Sequence, residues 1–302
     1  MSQRLRWAPS ALLLVLVLAP WAAVLAGGFA RVIAWSVLLP MGVPLVAVPV
    51  LVATLARTAW TRKLKRPMLA TLACAVVGAW PALWVLGVAQ PANPATIDGT
   101  APHATVAFPL RTRAQIFWGG DERDGNYHVT TVDQRWAYDI IVPPAATRSH
   151  KLQDFGCYGV DVLAPADALV VIAHDGEPDA APSAPPSNPS KPLGNHVALQ
   201  LDGGTYLLLA HLQPGSVTVK EGARTTTGDV IGKCGNSGNT SEPHLHIHHQ
   251  RQDPRHFPVG FAEGLPLFFA IDGAARMPKG GVREEGDAVV LIGDVVDPTR
   301  LR

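Results

Sequence analysis

The chain has 302 residues, 48% of them hydrophobic and 16% charged, with a formal net charge of +1, whereas a soluble chain carries about 25% charged residues. The deficit is local: residues 1–97 hold eight basic residues and no acid, and the first of the 11 histidines is His103. This excludes an intrinsically disordered chain and a single soluble core, and the near-neutral balance gives no support for nucleic-acid binding.

The front of the chain reads as membrane. Trp7–Ala30 and Val32–Ala56 contain no charged residue, and Pro67–Ile97 contains none before Asp98, its most apolar part being Met68–Ala89. A helix needs about 20 apolar residues to cross a ~30 Å hydrocarbon core. Three transmembrane helices are therefore expected at about 8–28, 32–56 and 68–89, forming an anchor over residues 1–91. The alternative for the first is a cleaved signal peptide, since Arg4 and Arg6 precede the apolar Ala11–Val17, but two further spans keep the chain in the membrane under either reading. Arg4 and Arg6 flank the first span, Arg31 alone separates the first from the second, and Arg57, Arg62, Lys63, Lys65 and Arg66 fill the next connection. Positive segments stay in the cytoplasm, which places the N-terminus inside and everything after about residue 92 outside. Pro20, Pro40, Pro44, Pro49 and Pro81 are expected to kink the spans. No acid or histidine lies within them, so anchoring rather than transport is the expected role.

Residues 92–104 read as a linker and 105–275 as a mainly antiparallel β domain. Short apolar runs, Ala168–Ala173, His196–Leu201, Tyr206–Ala210 and Val217–Val219, alternate with turn residues, and Asp202-Gly203-Gly204 signals a tight hairpin. No long helical period follows residue 105. Glu177–Pro192 holds six prolines and no apolar face, which marks a loop inserted between two strands. The tail, 276–302, contains one strand-like run, Ala288–Val296.

The chemistry resides in the histidines. In the run from Gly235 to His249, His244 and His246 are two residues apart. On a strand they share a face, close enough for one to bind a metal while the other meets a water beside it, and neutral imidazole is a favoured zinc ligand. A second signal is His211, at the end of the apolar run Tyr206–Ala210. A solvated histidine-rich patch and a structural strand-end histidine are the plain alternatives.

The stretch AHLQPGSVTVKEGARTTTGDVIGKCGNSGNTSEPHLH, over residues 210–246, resembles the lysostaphin/LytM-type zinc endopeptidases. In that family an Ala-His-Leu strand end is followed by a Gly-rich hairpin and then by Pro-His-Leu-His. Asp161-Val-Leu-Ala-Pro and Gly194-Asn195-His196-Val197 look like its preceding strands, so the likeness spans roughly residues 105–255. The resemblance implies a barrel or sandwich core of duplicated hairpins. It also implies one Zn2+ per chain, held by a His and an Asp from the first half and by the second His of His-x-His, which falls on His246. His244 and His211 match the family's non-ligand histidines, which assist the water and the transition state. The Asp falls on Asp139, in Gln134-Arg-Trp-Ala-Tyr-Asp139, and the remaining His on His128.

Here the chain departs from the common spacing, in which the His precedes the Asp by four residues: position 135 is Arg, which cannot ligate. Cys157-Tyr-Gly-Val-Asp161 has that spacing with Cys in place of His, and thiolate also binds zinc. That reading is set aside because Asp161 comes immediately before the Val-Leu-Ala-Pro strand. Cys157 also has a candidate disulfide partner in Cys234, although spacing alone cannot pair them. Cys74 lies in the third span. His248 shares the face of His244 and His246 and is either a supporting group or surface. His103, His150, His174, His196, His249 and His256 are read as structural or solvated.

Three protein ligands leave zinc a fourth position for water, whose pKa falls from about 15.7 to about 7. His244 is then the expected general base and His211 the partner of the water or the oxyanion. The resemblance implies a membrane-anchored, extracytoplasmic metalloendopeptidase, periplasmic or extracellular, acting on peptide cross-links of bacterial peptidoglycan. The alternatives are a silent wall-binding or hydrolase-activating domain on the same fold and a metallopeptidase acting on secreted protein. A lipoyl- or biotinyl-type hairpin is suggested by Val219–Gly232, but no modifiable Lys stands between hydrophobic neighbours at its tip. Gly235–Gly238 lacks the Gly-Lys-Ser/Thr ending of a phosphate loop.

Overall fold

In the computed structural model, which describes residues 3–145, 149–182, 190–286 and 288–300, the chain divides into two units, 1–99 and 100–302. The first is helical. It contains α1 (Gln3–Ala26), α2 (Gly28–Ile33), α3 (Val43–Thr61), α4 (Arg66–Ala79) and α5 (Ala82–Val85), with a π-helical stretch at Ala34–Gly42 joining α2 to α3. Three helical stretches, Arg6–Ala26, Gly28–Thr61 and Arg66–Val85, are long and apolar enough to cross a membrane. Pro40 lies in the π-helical stretch, where the wider turn accommodates a residue that cannot donate an amide hydrogen. The third stretch stops at Val85, short of the expected residue 89. Small residues permit close helix packing: a Cβ at Gly78 would lie 2.8 Å from that of Ala47. Trp21 meets Trp35 and Trp84 edge-on, and the buried Arg31 guanidinium donates to the Val24 carbonyl at 3.0 Å.

The second unit is mostly antiparallel β-structure, with no α-helix among the described residues. Its strands are β1 (Ala104–Val106), β2 (Ala114–Trp118), β3 (Tyr138–Ile141), β4 (Asp161–Leu163), β5 (Ala168–His174), β6 (Asn195–Gln200), β7 (Tyr206–Leu212) and β8 (Arg224–Thr225). Then come β9 (Val230–Lys233), β10 (Leu245–Gln250), β11 (Leu267–Ile271), β12 (Ala274–Arg276), β13 (Val282–Glu285), β14 (Ala288–Leu291) and β15 (Val295–Val296). Eight of these form one sheet in the order β15-β2-β3-β10-β7-β6-β5-β8. The order is linear, so the sheet is open rather than a closed barrel. β4 pairs with β9, and β1 lies parallel to β11.

The core follows the two-residue period of the strands. Tyr138 and Ile140 on β3, Leu245 and Ile247 on β10, and Leu207 and Leu209 on β7 point to one face. There they pack with Val162, Ile231 and Phe269 from the smaller sheets. Asp202–Gly204 makes the expected hairpin between β6 and β7, closed by the Leu201 amide on the Thr205 carbonyl at 2.9 Å. Val217–Val219 forms no strand, although the Thr218 amide donates to the Ile231 carbonyl at 3.2 Å. The tail run Ala288–Val296 breaks into β14 and β15, and β15 extends the large sheet alongside β2. The Pro-rich loop connects β5 to β6; its residues 183–189 lie outside those described.

Cys157 and Cys234 form a disulfide, Cα to Cα 5.7 Å, across 77 residues of chain. Closing a loop of that length restricts the unfolded chain and contributes about 2–4 kcal/mol. Cys157 is thereby removed as a ligand, and Asp161 instead pairs with Lys233 at 2.6 Å on the surface.

His249 faces the core side of β10, with Nδ1 donating to the Pro266 carbonyl and Nε2 accepting from the Thr205 hydroxyl. Burial pulls its pKa down to about 4. The folded state therefore binds fewer protons than the unfolded one. The stability this gives is present above pH ~6.5 and is lost as pH falls through 6.5 to 4, about 1.4 kcal/mol per unit and about 3 kcal/mol in all. Melting of the full chain in detergent is expected to be less acid-sensitive in His249→Gln by that amount. Parallel wild-type and variant curves would contradict it.

Candidate active site

The face of β10 opposite the core carries His246, His248 and Gln250, and register brings β3 and β7 against it. His246 pairs directly with Asp139 on one side and with Ala210 on the other. Because Tyr138 and Ile140 take the core face of β3, Asp139 must take the face of His246. His128 arrives from a 3₁₀ turn, Tyr127–Thr130, whose first residue is preceded by Asn126; the Asn126 side chain accepts from the His128 amide at 3.0 Å and donates to the Gly120 carbonyl at 2.8 Å. The turn thus substitutes for strand pairing as the device that fixes His128.

These three side chains converge. His128 Nε2 is 3.0 Å from Asp139 Oδ2, and His246 Nδ1 is 2.8 Å from Asp139 Oδ1. Each offers one ligand atom within 4.8 Å of the others, and all three residues are buried. Two imidazole nitrogens and a carboxylate oxygen are a donor set suited to zinc. Burial raises the pKa of Asp139, but the nearby His128 and His244 and the close ring nitrogens of His128 and His246 outweigh it, holding the carboxyl well below its usual range. Burial lowers the pKa of His246, which favours the neutral, ligating form. His128 Nδ1 is buried and has no hydrogen-bond partner among the described residues.

His211 and His244 stand beside this cluster, their rings 4.7 Å apart. By period alone His211 would share the core face of Leu207 and Leu209. Instead its φ is +64°, the left-handed region, at a cost of about 1–3 kcal/mol. The local irregularity turns the ring toward His246, 5.7 Å away between centroids, and returns Leu212 to the core. His211 Nδ1 donates to the Ser237 carbonyl and His244 Nδ1 to the Glu242 carbonyl, each at 2.8 Å. A carbonyl only accepts, so each neutral ring keeps its lone pair on Nε2. His244 Nε2 lies 3.5 Å from Asp139 Oδ1. Burial, then the neighbouring His244 and His246, push the His211 pKa well below the ordinary histidine value.

The Gly235–Gly238 loop carries the Ser237 carbonyl, and the Ser237 hydroxyl is tied to β6 and β7 through the Asn195 amide and the Leu212 carbonyl. Its glycines permit backbone contact: a Cβ at Gly238 would lie 2.4 Å from the Gly194 nitrogen, and one at Gly194 would lie 2.4 Å from the Ser237 carbonyl. Both have positive φ. Asn126, Tyr127, Ser237 and Gln250 are site residues the sequence did not single out. Only two had a signal: Asn before a turn for Asn126, and the two-residue period of β10 for Gln250. Tyr127 stacks on His128 at 4.0 Å, with its hydroxyl 3.5 Å from Asp139. Arg135, at the position of the missing histidine, is buried and pairs with Asp121 at 2.9 Å.

Residues 148–258 match the family described as Peptidase family M23. That stretch contains His211, His244 and His246; His128 and Asp139 precede it. No curated protein matches the chain. Similar solved structures include a zinc-containing peptidase from Vibrio cholerae (17% identity, TM-score 0.32, 48% of this chain and 36% of that one). Another is the catalytic domain of the antimicrobial peptidase lysostaphin from Staphylococcus simulans (15%, 0.29, 56% and 90%). A third is the M23 metalloprotease pseudoalterin from the deep sea (12%, 0.36, 64% and 98%). The chain spans about a third of the length of the Vibrio cholerae peptidase. Residues 148–258, which carry the His-Leu-His run, the Gly-rich loop before it and the central strands of the antiparallel sheet, thus form a domain that matches peptidase family M23.

Proposed function

We propose that the protein is a membrane-anchored zinc endopeptidase that cleaves peptide cross-links of bacterial peptidoglycan outside the cytoplasm. The observation that supports this most is the meeting of His128, Asp139 and His246 within 4.8 Å, flanked by two imidazoles with Nε2 lone pairs. The three residues would hold one Zn2+, which when bound supplies Lewis acidity and brings the pKa of water toward neutrality. His244 Nε2 takes a proton from the water as its oxygen attacks the scissile carbonyl carbon, and returns it to the amine as the C–N bond breaks. His211 Nε2, a lone-pair acceptor while neutral, orients the water rather than donating to the oxyanion. A donor role for His211 requires its protonation, which burial opposes.

Three apolar helices support anchoring. The Arg57–Arg66 basic segment supports a cytoplasmic N-terminus in the inner membrane, and the disulfide suits an oxidising compartment. The test is the full chain in detergent, assayed for zinc content and for amino groups released from purified peptidoglycan and from a denatured secreted protein. Stoichiometric zinc with release from peptidoglycan is expected. Release from protein alone favours the general metallopeptidase, and no retained zinc favours a wall-binding or activating module.

A further inference from the structure

We propose that His248 and Gln250 are positioning residues that fix the proton of His246 on Nε2, so that its Nδ1 lone pair faces the metal site. This rests on the reading that His128, Asp139 and His246 hold a cation. The face of β10 makes a continuous line of side chains. His246 Nε2 is 2.9 Å from His248 Nδ1, His248 Nε2 is 3.1 Å from Gln250 Oε1, and Gln250 Nε2 donates to the Gln252 carbonyl at 2.6 Å. His246, His248 and Gln250 are all at most 3% exposed, so water does not compete along the line.

The far end sets its direction. The Gln252 carbonyl can only accept, so Gln250 presents its NH2 there and its oxygen to His248. An amide oxygen can only accept, so His248 carries its proton on Nε2. Neutral His248 then has a lone pair on Nδ1, which takes the Nε2 proton of His246. What remains on His246 Nδ1 is a lone pair, aimed at Asp139 Oδ1 from 2.8 Å. Two lone pairs at that distance repel unless a cation lies against both. A metal ion is one such cation and a proton is the other. Histidine ligands ordinarily donate their second ring N–H to a carboxylate, a carbonyl or a water; here a second imidazole and an amide pass the constraint from the main-chain carbonyl of Gln252, just beyond β10.

The experiment uses the full chain in detergent, with zinc affinity read by chelator competition and ring protonation read from histidine 15N shifts. His248→Phe is expected to weaken zinc binding about 10–100-fold, and Gln250→Met to weaken it in the same direction. His248→Asn, whose Oδ1 stands near the place of Nδ1, is expected to restore most of the affinity. Wild type is expected to show His248 protonated on Nε2. Wild type that binds zinc while His248→Phe binds it equally well overturns this inference alone. Wild type that binds no zinc overturns the underlying reading and this inference with it. If the Phe and Met variants fail to fold, wild-type His248 protonated on Nδ1 still overturns it.

Discussion

Asp139→Asn is expected to abolish stoichiometric zinc, weakening its binding by more than about 100-fold. Losing a supporting residue costs about 10–100-fold in metal affinity, and Asp139 contributes more than that. It is the single anion among the three candidate ligands, and its two oxygens reach both His128 and His246. The same substitution has a second readout. A ligand present at about 1,000 times its dissociation constant stabilises the folded state by about 4 kcal/mol. Chelation should therefore lower the melting temperature of wild type and leave that of Asp139→Asn unmoved. Equal zinc content in the two proteins would remove Asp139 from the site.

His244→Ala should behave differently: zinc stays, and the proposed release of amino groups from peptidoglycan falls about 10²–10⁴-fold, the usual contribution of a positioned general base. The side chain contributes no ligand atom to the cluster, and its Nδ1 is held by the Glu242 carbonyl, which leaves Nε2 free to receive a proton. His211→Ala should also keep zinc. The double variant should lose less than the product of the two single losses, because in the proposed mechanism both imidazoles serve one water. Release of new amino groups from peptidoglycan, with zinc measured on the same samples, checks all three variants. Loss of metal in His244→Ala would make it a ligand and not a base.

The parts of the site set by short-range periodicity were legible from the chain. His246 lies on β10 while His244 stands just before that strand begins, and their two-residue spacing still brings both rings to Asp139 Oδ1. The hairpin at Asp202–Gly204 and the three apolar stretches were readable for the same reason, since each is written in consecutive residues. His128 and Asp139 were reachable only through a family resemblance. No single period relates them, because His128 sits on a capped 3₁₀ turn and Asp139 on a strand. His211 was visible as a strand-end histidine, but its direction was not: the left-handed residue that turns it has no local signature. The pairing of Cys157 with Cys234 and of β15 with β2 joins segments far apart in the chain, and such contacts leave no trace in local pattern. The run Val217–Val219 has strand composition but forms no strand, making a backbone bond from Thr218 to Ile231, which is where propensity gives way to tertiary context.

The place of β3 has a practical consequence. It is flanked by β2 and β10, and it ends at Ile141, ahead of the family match that begins at residue 148. A truncation cut to the matched boundaries would keep both flanking imidazoles yet strip away the carboxylate. It would also leave β10 with a row of unpaired amides and carbonyls, an open template for intermolecular strand addition. Any excised version intended for purification must therefore begin upstream of β1, or aggregation will be mistaken for lack of activity.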